Sequence, residues 1–516
     1  MATRGLAGPA LDARLLAARL ALDLGRRETA SAELRLAARA RHRGPADLRA
    51  RAWHAEALLR LSEGDRPGAG AALRAGMAVV DRFRSTLGAT ELRAGATGHG
   101  TQIAQLGVRL ALEAERPDRA LAWAERCRAA TLLLKPARPP GRADAAGREA
   151  DLRQVVRDLE RAALAGRPTA AFLRRQGELE EAVRSTARHA ASRWDAGIAI
   201  PASVPALGAA LGPGRVLIEY VELDGGLYAL VLPGGGRLRL RRLGGRAAVE
   251  AEMATLRFAL RRLAHGLDVS GAAARSAAAS AARLDDALLA PLSADLGPRD
   301  VVVVPTGSLA SVPWCALASV AGRPVSVAPS ATLWLKAVQP PRRTPSSVVL
   351  VAGPGLPAAA AEIAALARCY TGAVRLGGRR ATAGAVSAAL DGAGLAHVAA
   401  HGVFRADNPL FSCLHLADGP FTVYDLEGLR RAPATVVLSA CDSAITDIGP
   451  GDELIGLASA LFALGTRALV AAVVPVPDAA TRGFMIRFHH HLRSGLSPAT
   501  ALAAARADAR RRPSLA

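Results

Sequence analysis

Two residues in the C-terminal half have the type and setting that nucleophilic catalysis requires. Cys441 closes the run TVVLSAC and is followed by Asp442; His401 closes the run LAHVAAH and is followed by Gly402. Both runs are short and apolar, so both read as strands that finish in a reactive side chain. In open parallel α/β sheets, functional groups collect just past the carboxyl ends of the strands. If these two strands are neighbours, their ends lie about 4.8 Å apart and imidazole and thiol can reach each other. The 40 positions from His401 to Cys441 leave room for the crossover that a parallel pair needs. A free thiol near pKa 8.5 is mostly protonated at neutral pH, and an imidazolium partner or a helix N-terminus lowers it to about 3.5 to 7.5. Gly402 lets the backbone approach a substrate closely, and its amide with that of Cys441 could form an oxyanion hole worth about 3 to 4 kcal/mol per donor. Taken alone, Cys441 fits the small core residue that free cysteine usually is. His401 at a second strand end changes that reading.

The other candidates are weaker. His265 and Gly266 form a second histidine–glycine pair, but on a helical pattern and not at a strand end. His489, His490 and His491 are consecutive, so they face different sides of a helix and do not suit a metal. Cys127, Cys315 and Cys369 sit in helical or apolar contexts, and Cys413 alternates like a strand; all four are expected to pack as small apolar residues. GPGLP and PGGG lack the lysine and hydroxyl residue of a phosphate-binding loop, and Ser308 in TGSLASVPW lacks the frame of a nucleophile elbow. No metal or organic cofactor is expected.

These strands need a scaffold, and the period of the apolar residues supplies one. From about Leu11 to Leu134 they recur every three or four positions, broken by the turns LGRRETA, EGDRPGA and AERPDRA. The unit is a helical hairpin repeated at irregular spacing, which resembles degenerate tetratricopeptide-type repeats and their concave partner surface; an ordinary helical bundle with no ligand gives the same period. A proline- and glycine-rich linker, LKPARPPGRADAAG, leads to two highly charged helices that suit a solvated hairpin. After Pro201 the period changes to that of strands: RVLIEYVEL, LYALVL and RLRLRRL, joined by glycine turns, read as an antiparallel meander. Farther on VVVVP, SVVLVAG, LAHVAAHG, TVVLSAC and ALVAAVVPV alternate with helices, which argues for a mostly parallel sheet covered on both faces. Three segments follow: helical repeats over 1–135, linker and charged hairpin over 136–200, and an α/β domain over 201–516.

A chain of 516 residues exceeds one ordinary core, in keeping with that division. The net charge of +21 points on its face to polyanions. Yet of the 66 basic residues only Lys135 and Lys336 are lysine, and the arginines are spread along the chain without forming a basic arm. That pattern, with abundant alanine and glycine, reads as coding bias and argues against nucleic acid as the partner. Five widely spaced cysteines with no CxxC pair indicate a reducing compartment. The N-terminal stretch lacks an uninterrupted signal-peptide core, and the longest apolar segment is broken by Arg467, so a cytoplasmic protein without a membrane span is expected.

LAHVAAHGVFRADNPLFSCLHLADGPFTVYDL, VVLSACDSA and GDELIGLASALFALGTRALVAAVVPVPDAAT together resemble the CHAT domain, a caspase-like and separase-like cysteine peptidase fold often preceded by tetratricopeptide repeats. The resemblance extends from about Val216 to the C-terminus. It implies a caspase-like α/β domain in which His401 is the general base and Cys441 the nucleophile of a cysteine endopeptidase, acting on a protein or peptide, with a regulatory protein on the helical repeats. It departs from the family at Ala444, where glycine is frequent, and at Val474, where tryptophan is; neither removes a catalytic atom. Related peptidases place a charged residue beneath the first specificity pocket. Asp442, Asp452 and Glu453 are the candidates here and imply a preference for arginine or lysine. The alternative is a catalytically silent scaffold that assembles partners.

Overall fold

A computed structural model describes residues 7–87, 90–128, 132, 142–188, 200–268, 270–340, 347–403, 405, 407–439, 447–449, 453–474 and 478–511. By contacts the chain forms two compact units, one of residues 1–137, 191–201 and 449–453, the other of 138–190, 202–448 and 454–516.

The first unit is helical: α1 (Ala7–Asp23), α2 (Arg27–Ala38), α3 (Ala46–Ser62), α4 (Arg66–Thr86), α5 (Thr90–Gly98), α6 (Thr101–Glu113) and α7 (Pro117–Cys127). Gly25 and Gly64 take positive φ after α1 and α3, ending each helix where a side chain would be strained. Helices pack pairwise, α1 on α2, α3 on α4 and α6 on α7. Their contacts depend on missing side chains: a Cβ at Gly107 would sit 2.3 Å from the Trp123 ring, and one at Gly76 2.8 Å from Ile103.

The second unit opens with the hairpin α8 (Arg142–Leu164) and α9 (Ala170–Arg188), followed by α10 (Val204–Leu211). The meander is β1 (Arg215–Leu223), β2 (Gly226–Pro233) and β3 (Arg239–Gly245). Asp224 and Gly225, both at positive φ, make the two-residue turn between β1 and β2. Then come α11 (Arg246–Ala264), α12 (Ala272–Leu288), α13 (Ser293–Leu296), β4 (Asp300–Val304), β5 (Val325–Val327) and α14 (Ala331–Val338). Strand β4 joins the meander and not the later strands: it lies parallel to β1, and the sheet order is β3-β2-β1-β4-β5. Its unbroken valines are buried on both faces, as they would be in either sheet, so their pattern does not name a partner.

The remaining elements are β6 (Val348–Ala352), α15 (Pro357–Cys369), β7 (Val374–Leu376), α16 (Ala383–Leu390), β8 (Leu395–Ala399), β9 (Gly402–Val403), β10 (Cys413–Leu416), β11 (Gly419–Thr422), α17 (Val423–Glu427), β12 (Thr435–Leu438), β13 (Asp447–Gly449), β14 (Glu453–Ile455), α18 (Leu457–Ala463), β15 (Ala468–Ala471), α19 (Asp478–Arg493) and α20 (Pro498–Arg511). Five of the strands form a wholly parallel sheet in the order β15-β12-β8-β6-β7. One face, with Val349, Val351, Ala396, Val398, Val436 and Leu438, packs against α16 to α18; the other packs against α15, α19 and α20. The expected class, a helical region followed by an α/β domain with a parallel sheet, is the observed one.

The apolar run LIGLASALFALGTRALVAAVV turns at Gly465 and divides into α18 and β15. Among the described residues no helix is long and apolar enough to cross a membrane. The charged hairpin, read as solvated, buries Leu152, Leu179 and Val183 in the core shared with Phe411, Leu414 and Phe421.

Candidate active site

Strand β8 is central in the parallel sheet, with β6 on one side and β12 on the other. Its end is held from both: the Ser439 amide donates to the Val398 carbonyl at 2.9 Å, and the Gly353 amide donates to the Ala399 carbonyl at 2.7 Å. Ala400 is still buried, and His401 is exposed. The chain therefore surfaces at the imidazole. Gly353 explains how closely the loop beyond β6 approaches, since a Cβ there would meet the Ala400 methyl at 2.8 Å. The sheet order reverses between β6 and β8, which makes this edge the place where α/β proteins build their sites.

After His401, β9 pairs antiparallel with β10, Gly402 opposite Leu414 and Val403 opposite Cys413. The His415 amide donates to the His401 carbonyl at 2.8 Å. That bond makes Gly402 and Leu414 a non-hydrogen-bonded pair, so the Gly402 N–H points away from β10, toward the open edge of the small sheet β11-β10-β9.

Strand β12, which leads to Cys441, is the neighbour of β8, in the register Val437 opposite His397 and Leu438 opposite Val398. His401 and Gly402 thus stand together at the end of one strand, and the strand preceding the thiol lies directly beside it. Cys441, Asp442, Ala444 and Asp452 lie outside the described residues, and Glu453 is placed only as part of β14.

Cys413 is buried, and that burial pushes its thiol up to about 12, so it is no thiolate at neutral pH. Cys369 is half-buried, whereas Cys315 is exposed, because the short 3₁₀ turn it occupies directs Trp314 inward instead. His265 caps the end of α11, and Gly266 follows at positive φ, as a helix terminus requires. Among the described residues no group of three or more histidines, cysteines and carboxylates is placed to hold a metal.

One polar group escaped the sequence reading. His397, buried in β8, bonds through Nε2 to Glu362 at 2.7 Å and through Nδ1 to His489 Nε2 at 2.9 Å, and His489 Nδ1 meets the Tyr370 hydroxyl at 2.9 Å. With Glu362 accepting, a single direction satisfies every member: Tyr370 donates to His489, His489 to His397, and His397 to Glu362. Burial, followed by the neighbouring His397, lowers His489 to about 2, and burial raises Tyr370 to about 12. The only sequence signal was a histidine at an interior strand position.

Comparison with known proteins bears directly on this half of the chain. Residues 278–515 match the CHAT domain. The CHAT segment starts within α12 and takes in β4 to β15, so β1 to β3 precede it although β1 is hydrogen-bonded to β4. The resemblance drawn from the His401 and Cys441 motifs holds over that segment. No curated protein matches. Two crystal structures of the Saccharomyces cerevisiae separase–securin complex are similar at 9% and 8% identity, with TM-scores of 0.46 and 0.44. Each covers 96% of this chain, which spans only 45% and 46% of theirs.

Proposed function

We propose that the CHAT segment is a cysteine endopeptidase in which Cys441 is the nucleophile and His401 the general base. The observation that carries the reading is the pairing of β8 with β12: His401 follows Val398 by three residues, Cys441 follows Leu438 by three, and Val398 and Leu438 are register partners. In the reaction His401 takes the thiol proton, and the thiolate of Cys441 adds to the substrate carbonyl. The tetrahedral oxyanion is received by the Gly402 and Cys441 amides, a role favoured by the outward direction of the Gly402 N–H. His401 returns the proton to the leaving amine as the C–N bond breaks, leaving an acyl-thioester. Water, deprotonated by His401, then releases the acid and restores the thiol.

Asp442, Asp452 and Glu453 would favour arginine or lysine before the scissile bond, and helices α1 to α7, as tetratricopeptide-like hairpins, would hold a regulatory protein. A compartment that keeps thiols reduced, such as the cytoplasm, suits the chemistry. The test compares the wild type with Cys441→Ala and His401→Ala in a proteome-wide cleavage assay. New termini that depend on both side chains are the expected result, with arginine or lysine preceding the cut. Equal cleavage by all three rejects the mechanism and leaves the scaffold.

A further inference from the structure

The block that follows His401 is gripped by the hairpin α8–α9. Arg405, four residues beyond His401, pairs with Glu180 of α9 and Asp407, both at 2.5 Å, while its amide donates to Ser412 Oγ at 3.1 Å. The Glu180 carboxylate is nearly buried and takes its other bond from Gln176 at 2.8 Å. On α8, Arg153 reaches Asp425 at 2.8 Å and Asp418 at 3.7 Å, and Glu160 lies 3.6 Å from His415 Nδ1. Gly419, at φ +118°, lies so close to Arg153 that a Cβ would come within 3.0 Å of it. These contacts fall on both strands that flank the His401 peptide: Arg405 lies just beyond β9, and His415 is the residue whose amide holds the His401 carbonyl.

Resting on the peptidase reading, we infer that Arg405 and Glu180 are positioning residues for His401, and that the α8–α9 hairpin is the clamp that sets the imidazole's place at the end of β8. A buried carboxylate needs a compensating charge, and Arg405 supplies it only while the loop after β9 keeps its present path. If that pair is lost, Glu180 loses the cation it has among the described residues, the path of β9 along β10 loosens, and the carbonyl anchor behind the imidazole weakens. The peptide that carries the base is thus fixed from outside the sheet.

A substrate-free readout tests this: the rate of iodoacetamide alkylation of Cys441 against pH, resolved from the other cysteines by peptide mass spectrometry on the full-length protein. In the wild type, reactivity near neutral pH should exceed that of His401→Ala. Arg405→Ala and the isosteric Glu180→Gln should fall by about three- to tenfold toward the His401→Ala profile, Arg405→Lys should keep most of the rate, and Arg430→Ala, which removes an exposed pair with Asp391, should leave it unchanged. Wild-type profiles for Arg405→Ala and Glu180→Gln, with His401→Ala still slow, overturn the clamp and spare the dyad. Identical profiles for wild type and His401→Ala overturn the dyad and the clamp together.

Discussion

The place of His401 just past a strand end was legible because the apolar run LAHVAA stops there. Gly353 was not, since glycine after a strand is ordinary, and only the 2.8 Å distance from a built Cβ to Ala400 shows that the space is taken. Gly353→Ala must displace Ala400, and overpacking of this kind costs about 1 to 3 kcal/mol. If His401 and Cys441 cleave peptides as proposed, cleavage should fall beyond what the lost stability explains, because the displaced residue immediately precedes His401. Circular dichroism melts and initial cleavage rates on one preparation check the contrast, and an unchanged rate at lowered stability contradicts it.

Helices and strands announced themselves by period, but their partners did not. The valine run of β4 pairs across the chain with β1, and the charged hairpin hides three apolar residues among its arginines and glutamates. Likewise His397 gains its partners only where α15 and α19 bring Glu362 and His489 to it. This chain ties three elements together and gives the α/β unit a definite response to acid. His489 is lowered from an ordinary 6.5 to about 2 when folded, mainly by burial, so below pH 6.5 the unfolded chain binds a proton that the folded one refuses. Its stabilising contribution is complete above 6.5 and is lost as pH falls toward 2, with a slope of about 1.4 kcal/mol per pH unit. His489→Gln keeps polar atoms at the site and removes the titration. Urea unfolding between about pH 6 and pH 5, where few carboxylates titrate, should therefore show a shallower pH slope in the variant; equal slopes would mean that His489 is protonated in the fold.

At the scale of the molecule, the order of classes was readable, helices first and a parallel α/β sheet last, because the period of the apolar residues changes near Pro201. The membership of β4 in the first of the two five-stranded sheets was not, for it depends on where β4 finds its neighbour. That neighbour has a practical consequence. A chain begun at residue 278, where the CHAT match starts, lacks β1 and leaves the valines of β4 as an open apolar edge. Light scattering should find it aggregated, whereas a chain begun at Arg138, which retains the hairpin and both five-stranded sheets, should be monodisperse; two monodisperse chains would show that β1 is dispensable.

The buried imidazole of His397 also ties the site to the timetable of synthesis. Its strand leaves the ribosome before either of two later supports: β15, which pairs with β12, and α19, which carries His489. A nascent chain that has already released His401 still lacks the imidazole that meets His397 in the middle of its central strand. The buried chain from Tyr370 to Glu362 closes only when α19 has emerged with His489.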